Sequence, residues 1–319
     1  MLKYIRNGLI LFTNNGMKKI EEIDKINDKI LIYKDGKYIY GEIDNIEKIY
    51  KKNYKLNKVN FINSIDNYYV NDNIEIKSIR NIPSNIELTS DIPEYLDYNK
   101  HRCIGMNRLS NLSSFDYIGF PVNIDKEGDI NDEIEMDKDY YRWIGLITSK
   151  STLSFYINKD KEETIKFIEQ YLKKNEILYE ISNIDDNIVI KYDNELLDKK
   201  IRKIDIKDIF NINIDNLREF VKGLIEIDNQ FVILNKDIYQ IIKYGCLRLG
   251  VVLSSYYKDD KYNIRISRNL KTCHYHYFNY DNIVWNRIRS IKKFNYNGFL
   301  YRIVLMEDSP YLSELGLIS

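Results

Sequence analysis

Proline and glycine are scarce in this chain, at 4 and 13 of 319 residues, with only 3 cysteines and 2 tryptophans beside them. So little of either excludes a collagen-like chain or a Pro/Gly-rich low-complexity chain. The cysteines, Cys103, Cys246 and Cys273, are odd in number and form no CxxC pair. That excludes a disulfide framework and points to free thiols in a reducing, intracellular compartment. No apolar run reaches the roughly 18 residues needed to span a bilayer, so no membrane role is expected. The opening MLKYIRNGLILF has a short apolar run but no small-residue cleavage site, and it does not read as a signal peptide. Lys plus Arg equals Asp plus Glu, 48 each, so the overall charge favours no polyanionic partner.

What is abundant is Ile, Asn, Lys, Asp and Tyr, the usage of an AT-rich coding genome. Apolar residues make up 44% and charged residues 30%, which fits a soluble globular protein long enough for two cores. The charge is unevenly spread. Residues 121–230 hold 17 Lys/Arg against 25 Asp/Glu, whereas 231–300 hold 12 against 4. A shift from −8 to +8 points to a basic surface facing a polyanion, or to two halves that attract each other.

The first 95 residues read as short strands: LILF, KILIYKDGKYIYGEI and NIEL carry β-branched and aromatic residues. Asn15-Gly16 and Asp35-Gly36 supply hairpin turns, the second being the strongest such signal in the chain. YYVNDNIEIKSIRNIPSN (68–85) reads as a loop or insertion. From about 140 the period becomes helical. YYRWIGLITSK opens it, and residues 162–177 put Ile165, Ile168, Tyr171 and Leu172 on one face. Two extended stretches follow, and the order helix, strand, helix, hairpin then repeats from residue 216 to about 267, an internal duplication. After 281, WNRIRSIKKF and FLYRIVL read as strands again, so a duplicated α/β unit interrupts a β unit.

Several segments then resemble a known family in the right order. Tyr4-Ile5-Arg6-Asn7-Gly8-Leu9-Ile10-Leu11-Phe12-Thr13, followed by KKIEEIDKINDKILIY, resembles the N-terminal splicing block of inteins. IELTSDIPEYL (86–96) resembles the T-x-x-H block, NRLSNLSSFDYIGFPV (107–122) the segment after it, and residues 283–319 the final blocks. Trp143-Ile144-Gly145-Leu146-Ile147-Thr148-Ser149-Lys150-Ser151 and Val221-Lys222-Gly223-Leu224-Ile225-Glu226-Ile227-Asp228-Asn229 resemble the paired LAGLIDADG motifs of homing endonucleases. The resemblance implies an α+β chain. An all-β, horseshoe-like Hint domain over 1–123 and 282–319 is interrupted at 124–281 by a pseudo-two-fold LAGLIDADG domain with paired helices and saddle-shaped sheets.

The same resemblance implies which chemistry is gone. An intein's first residue is a thiol or hydroxyl nucleophile; Tyr4 stands there. Its histidine protonates the departing amide; Ile92 closes the block Thr89-Ser90-Asp91-Ile92. The sequence ends at Leu317-Ile318-Ser319 before any His-Asn of the family's kind, and splicing is not expected. In each LAGLIDADG motif a small Gly lets the two helices pack closely, and the penultimate residue brings one carboxylate to a shared divalent-metal site. Asp228 keeps that acid and is the one remaining candidate metal ligand. Lys150 replaces the other and opposes a cation, so double-strand cleavage is expected to be lost; Lys150 and Asp228 could pair instead. The expected cofactor is therefore none, or Mg²⁺ if some nuclease activity remains.

For DNA binding the candidates are Lys258, Lys261, Arg265, Arg268 and Lys271, interleaved with Tyr256, Tyr257, Tyr262, Tyr275 and Tyr277. The corresponding first-half stretch, NIDDNIVIKYDNELLD, is acidic. Cys273-His274-Tyr275-His276 has no distant partner pair and reads as a strand, not a zinc site. Trp143 and Trp285 read as core packing. Three functions compete. One is a double-stranded-DNA-binding relic of an intein–endonuclease. Another is a residual nicking endonuclease using Asp228 with an acid such as Glu226. The third is a structural subunit recruited into a protein complex, viral or polymerase-associated.

Overall fold

The computed structural model describes residues 3–62, 64–83, 86, 91–122, 137–149, 154–193, 209, 212–268, 270, 273–274 and 276–319. The chain divides into two units, residues 1–130 with 250–252 and 270–319, and residues 131–249 with 253–269. Unit 1 begins with β1 (Ile5–Arg6), β2 (Ile10–Thr13), β3 (Gly16–Lys19), β4 (Ile30–Lys34), β5 (Lys37–Gly41), β6 (Ile43–Phe61), β7 (Tyr68–Val70) and β8 (Glu75–Ile79). Helix α1 (Ile92–Cys103), β9 (Ile104–Arg108) and β10 (Tyr117–Pro121) follow. Unit 2 runs α2 (Lys138–Thr148), β11 (Ser154–Asn158), α3 (Glu162–Lys174), β12 (Tyr179–Ile184) and β13 (Asn187–Tyr192). It continues α4 (Ile214–Glu226), β14 (Gln230–Ile233), α5 (Lys236–Arg248), β15 (Ser254–Lys258) and β16 (Lys261–Arg265). The chain then returns to unit 1 with β17 (Cys273–His274), β18 (Tyr277–Tyr280), β19 (Ile283–Leu305), β20 (Tyr311–Ser313) and β21 (Gly316–Ile318).

The strands of unit 1 join in one 15-stranded antiparallel sheet. Asp35 and Gly36 both take positive φ, 51° and 82°, the type I′ geometry that matches strand twist, and they close the β4–β5 hairpin. Strands distant in sequence pair across the unit: Ile5 with Tyr301, Leu11 with Ser313, and Ile318 with Ile76. The longest partnership is β6 with β19, from Ile43 opposite Leu305 to Phe61 opposite Ile288. The main core gathers Leu11, Ile30, Val59, Val70, Ile76, Ile288 and Ile318 among others. A second cluster holds Ile92, Leu96, Tyr117, Phe278 and Trp285, and the Trp285 indole donates to the Tyr280 carbonyl at 3.1 Å.

Unit 1 departs from the sequence reading in four places. Residues 68–79 are not a loop: β7 and β8 are buried strands whose Asn/Asp-rich join resembles loop chemistry. The unit is not all-β, since α1 starts after Asp91 with Pro93 in its first turn, where the helix does not need that N–H. WNRIRSIKKF and FLYRIVL are one continuous strand, β19. Lastly, β18 pairs with β19 within unit 1's sheet, so residues 270–281 lie with unit 1, short of the boundary placed at 281. The NIEL strand falls almost wholly outside the described residues.

In unit 2 the order helix, strand, helix, hairpin occurs twice, and both three-stranded sheets place their last strand-pair alike, β11-β13-β12 and β14-β16-β15. On α3, Ile165, Ile168, Tyr171 and Leu172 are all buried, as their spacing predicts. Trp143 is fully buried, stacked on Tyr171 with centroids 4.6 Å apart. The described residues thus form a mixed α/β protein with large antiparallel sheets and five α-helices, none long and apolar enough to cross a membrane.

Candidate nucleic-acid interface

Two helices of unit 2 touch backbone to backbone. Each begins at a capped residue: Asp137 accepts from the Tyr140 N–H and Asn213 from the Asn216 N–H, both at 2.8 Å. A Cβ on Gly145 would lie 2.0 Å from the Phe220 carbonyl oxygen and 2.9 Å from the Leu224 nitrogen. A Cβ on Gly223 would lie 2.1 Å from the Arg142 oxygen and 3.0 Å from the Leu146 nitrogen. One 78-residue offset relates both glycines and both sets of neighbours. The contact is therefore isologous, each helix offering the other the same patch.

At the C-terminal end of α4 the charges are already engaged. Glu226 accepts from Arg142 Nε at 2.9 Å and from its second guanidinium nitrogen, and from Thr164 Oγ1 at 3.1 Å. Both side chains are largely buried, at 16% and 10% exposure, and the guanidinium lies 3.9 Å from the Phe167 ring centroid. Burial pulls the Arg142 pKa down, but Glu226 outweighs it and the net shift is upward. Lys161 Nζ donates to the Glu226 and Ile227 carbonyls at 2.8 and 2.7 Å, placing an ammonium where the helix leaves unsatisfied oxygens. Asp228 accepts from the Gln230 N–H at 3.0 Å and opens β14.

These residues do not fit a divalent metal. Glu226 is neutralised by Arg142, Lys161 supplies a cation at the helix end, and Asp228 spends one oxygen on a turn. No group of three potential ligands occurs among the described residues. Lys150, the substituted acid position, lies outside the described residues, so its pairing with Asp228 stands as an expectation. Arg142, Lys161 and Thr164 escaped sequence reasoning. Arg142 and Glu226 are 84 residues apart, and no local spacing signals their meeting.

The β14–β16–β15 sheet sorts its side chains by register. Gln230 and Ser254 stand opposite Arg265, Val232 and Tyr256 opposite Asn263, and Lys258 opposite Lys261, so all eight share one face. The other face buries Phe231, Ile233, Ser255 and Ile264. Lys258, Lys261, Arg265 and Arg268 are exposed, and none has a carboxylate partner among the described residues. Asp259 and Asp260 sit in the tight turn, both with positive φ, and Tyr257 donates to Asp260 at 3.3 Å.

Three candidates change place. Tyr262 stacks on Tyr239 at 4.8 Å and packs on Tyr257, its register partner, at 4.9 Å, both on the side away from the basic side chains, and Tyr277 is buried in unit 1. Lys271 and Tyr275 lie outside the described residues. The β11–β13–β12 sheet is less acidic than its sequence: Ser154, Tyr156, Asn158, Glu180, Ser182, Asn187, Val189 and Lys191 share its outer face. One acid meets one base there, because Asp185 and Asp186 fall in the turn.

In unit 1, Tyr4 and Ile92 are not brought together. Tyr4 packs with Leu56, Tyr296 and Leu300, and Ile92 packs in the Trp285 cluster. Ser319 exchanges backbone hydrogen bonds with Glu75 at 2.9 and 3.1 Å, and Lys3 Nζ donates to the Glu75 carboxylate at 3.2 Å. Cys103 and Cys246 are both buried and free, and burial pushes the Cys246 pKa up to about 12.

No family model matches the chain, and no curated protein matches it. Among solved structures it is similar to mesophilic variants of the homing endonuclease I-DmoI, at 13% identity and a TM-score of 0.31, over 41% of this chain and 89% of that one. I-DmoI in complex with DNA and Mn gives 16% identity and 0.30 over 41% and 90%. A single-substitution variant of that enzyme with its target DNA in the presence of Mg gives 14% and 0.29 over 41% and 90%.

Proposed function

We propose that this protein binds double-stranded DNA through unit 2 and neither splices nor cuts both strands. The observation that carries the reading is the β14–β16–β15 face, where Lys258, Lys261 and Arg265 stand together, with no carboxylate partner among the described residues, beside Tyr256, Asn263 and Gln230. Cations of that kind neutralise phosphates, while the polar side chains between them can reach base edges. The isologous glycine contact supports a pseudo-two-fold LAGLIDADG-like helix pair beneath two sheets. The β sheet of unit 1 would then belong to a Hint-like domain.

Lost cleavage follows from the engaged acids. Glu226 cannot act as a metal ligand or base while Arg142 and Thr164 hold it, which leaves Asp228 alone. A residual nicking activity would need a second acid beside Asp228, and Glu226 is held by Arg142 and Thr164. Lost splicing follows from Tyr4 and Ile92, which supply neither nucleophile nor imidazole and lie in different clusters. A gel-shift titration of duplex DNA against salt tests the reading. Arg265→Ala with Arg268→Ala should weaken binding and lower the slope of log affinity against log salt by about 0.9 per lost contact. A wild-type protein that shifts no duplex at low salt, yet forms salt-insensitive complexes with another protein, would move the assignment to the structural subunit.

A further inference from the structure

The longest strand pair of unit 1 carries a charge pattern that its fold does not need. Residues 48–61 of β6 and 283–305 of β19 contain ten Lys and Arg and no Asp or Glu, in a chain where acids and bases are equal in number. The two strands lie at opposite ends of the chain, so only their pairing joins the two acid-free runs into one surface. Register places Lys58 directly opposite Lys292, and Lys51 opposite Gly298. Like charges facing each other across a ladder oppose strand pairing.

Few of these cations are spent on the protein itself. Arg302 pairs with Glu47 at 3.0 Å, Lys293 approaches Asp72 at 3.9 Å, and Lys48 lies over the Phe299 ring at 4.5 Å. Lys51, Lys52, Lys55, Lys58 and Lys292 have no carboxylate partner among the described residues. The face shared by Lys58 and Lys292 continues through Phe294, which is 39% exposed and packs against Tyr69. Arg6 adds a further cation there, its guanidinium 4.4 Å from the Tyr69 ring centroid. The stretch from Lys48 to Lys58 spans about 33 Å at ~3.3 Å per residue, close to the ~34 Å of one duplex turn.

We propose that the β6–β19 ribbon of unit 1 is a second DNA-binding surface, with Lys51, Lys58 and Lys292 contacting the phosphates of a duplex. Lysine ammoniums act as point charges toward phosphate and carry no base preference of their own, so this surface adds affinity without sequence selectivity. The exposed rings are already paired with one another, Tyr50 with Phe299 and Phe294 with Tyr69. That favours a duplex over stacked single-stranded bases. The choice of ligand rests on the duplex-DNA reading of unit 2; the site does not.

The test uses the full chain and a fluorescein-labelled mixed-sequence duplex of about 30 base pairs, with affinity followed against salt. Lys51→Gln, Lys58→Gln and Lys292→Gln together should lower the slope by about 2.7, at about 0.9 per contact. The same change in a Lys258→Gln/Lys261→Gln/Arg265→Gln background should lower the residual slope again. If the unit 2 reading fails, that background alone changes nothing, while the ribbon variant still lowers the slope. Trp285 emission checks that unit 1 remains folded, and relief of the Lys58–Lys292 repulsion should leave its unfolding midpoint unchanged or higher. Acetylation of the unmutated protein gives a second readout, with Lys51, Lys58 and Lys292 protected by duplex. An unchanged slope and affinity in both backgrounds, labelling indifferent to DNA, or tighter binding of oligo(dT) than of duplex would each overturn the proposal.

Discussion

Replacing Gly223 by Ala tests the helix contact at its tightest point. The added Cβ would sit 2.1 Å from a helical carbonyl oxygen, against 3.0 Å for the closest contacts real Cβ atoms make. The obstacle is backbone, which cannot rotate away, so α2 and α4 must separate by roughly 1 Å. A gap of that size forfeits about a quarter to a half of each van der Waals contact across it. The residues affected, Ile144, Leu146, Phe220, Val221 and Leu224, are fully or almost fully buried. Overpacking costs about 1–3 kcal/mol and occasionally more. With rigid backbone on both sides the upper end applies, offset by about 1 kcal/mol of helix propensity gained over glycine. The net loss is then about 2 kcal/mol, a fall of roughly 1 M in the urea midpoint at an m-value near 2 kcal/mol/M.

The chain's two tryptophans make the assay specific, because Trp143 lies in α2 and Trp285 in unit 1. On a Trp285→Phe background, Trp143 alone reports the unfolding of unit 2. Gly145→Ala should cost the same as Gly223→Ala, since the contact is reciprocal, and the double variant should cost less than the sum once the helices have parted. Gly245→Ala is the control. Its Cβ would meet side chains, the Leu217 and Ile209 methyls at 3.3 and 3.4 Å and the Phe220 ring at 3.8 Å, so its midpoint should barely move. A Gly223→Ala protein as stable as its parent would refute backbone contact between the helices.

Other expectations follow from the same geometry. Arg142→Ala should destabilise unit 2 by about 3–5 kcal/mol by leaving the Glu226 charge buried and unpaired, read by Trp143 emission in urea; Arg142→Ala with Glu226→Gln should recover part of that loss. In unit 1 burial alone would raise the Asp28 pKa, but Lys18, Asn15 and the Asp24 N–H outweigh it and hold the carboxyl below its ordinary value. A depressed carboxyl adds stability above its unfolded pKa and loses it as pH falls through the folded value. The Trp285 midpoint should therefore drop below about pH 4 in the parent, and drop less in Asp28→Asn. Fusion of foreign segments at both ends should give no ligated product on a gel, and a spliced band would end the reading of Tyr4 and Ile92. Mg²⁺ should support no double-strand cleavage. Lys150→Asp should not restore it, because Lys161, held on the Glu226 and Ile227 carbonyls, keeps a cation at the helix end beside Asp228; linear product in a plasmid-cleavage assay would contradict this.

Local chemistry was legible wherever neighbours in sequence decide the outcome. Asp35-Gly36 formed its hairpin because two left-handed residues close a type I′ turn whatever lies elsewhere. The α3 stripe was readable because its period alone selects the buried face. The family resemblance, not local chemistry, marked Gly145 and Gly223 as close-packing residues, and their reciprocity needed both helices in place. What failed was non-local. The Asn/Asp-rich join of 71–73 resembles a loop, yet Val70 and Ile76 are buried by β1 and β21, whose sequences lie elsewhere. Of the acids counted in 183–198, Asp185 and Asp186 fall in a turn, while Glu195 and Asp198 lie outside the described residues. The engagement of Glu226 and the acid-free ribbon each depend on a partner more than 80 residues away, beyond the reach of any window.

The central claim, that unit 2 holds duplex DNA through its basic sheet face, is tested most directly by fluorescence anisotropy of a labelled duplex titrated with the full chain over a range of salt. Parent and Lys258→Gln/Lys261→Gln/Arg265→Gln proteins are compared, with Trp143 emission confirming that both are folded. The account predicts a steep linear fall of log affinity with log salt for the parent and a slope lower by about 2.7 for the variant, three contacts at about 0.9 each. Equal slopes for the two proteins, or no binding of duplex by the parent at low salt, would contradict it.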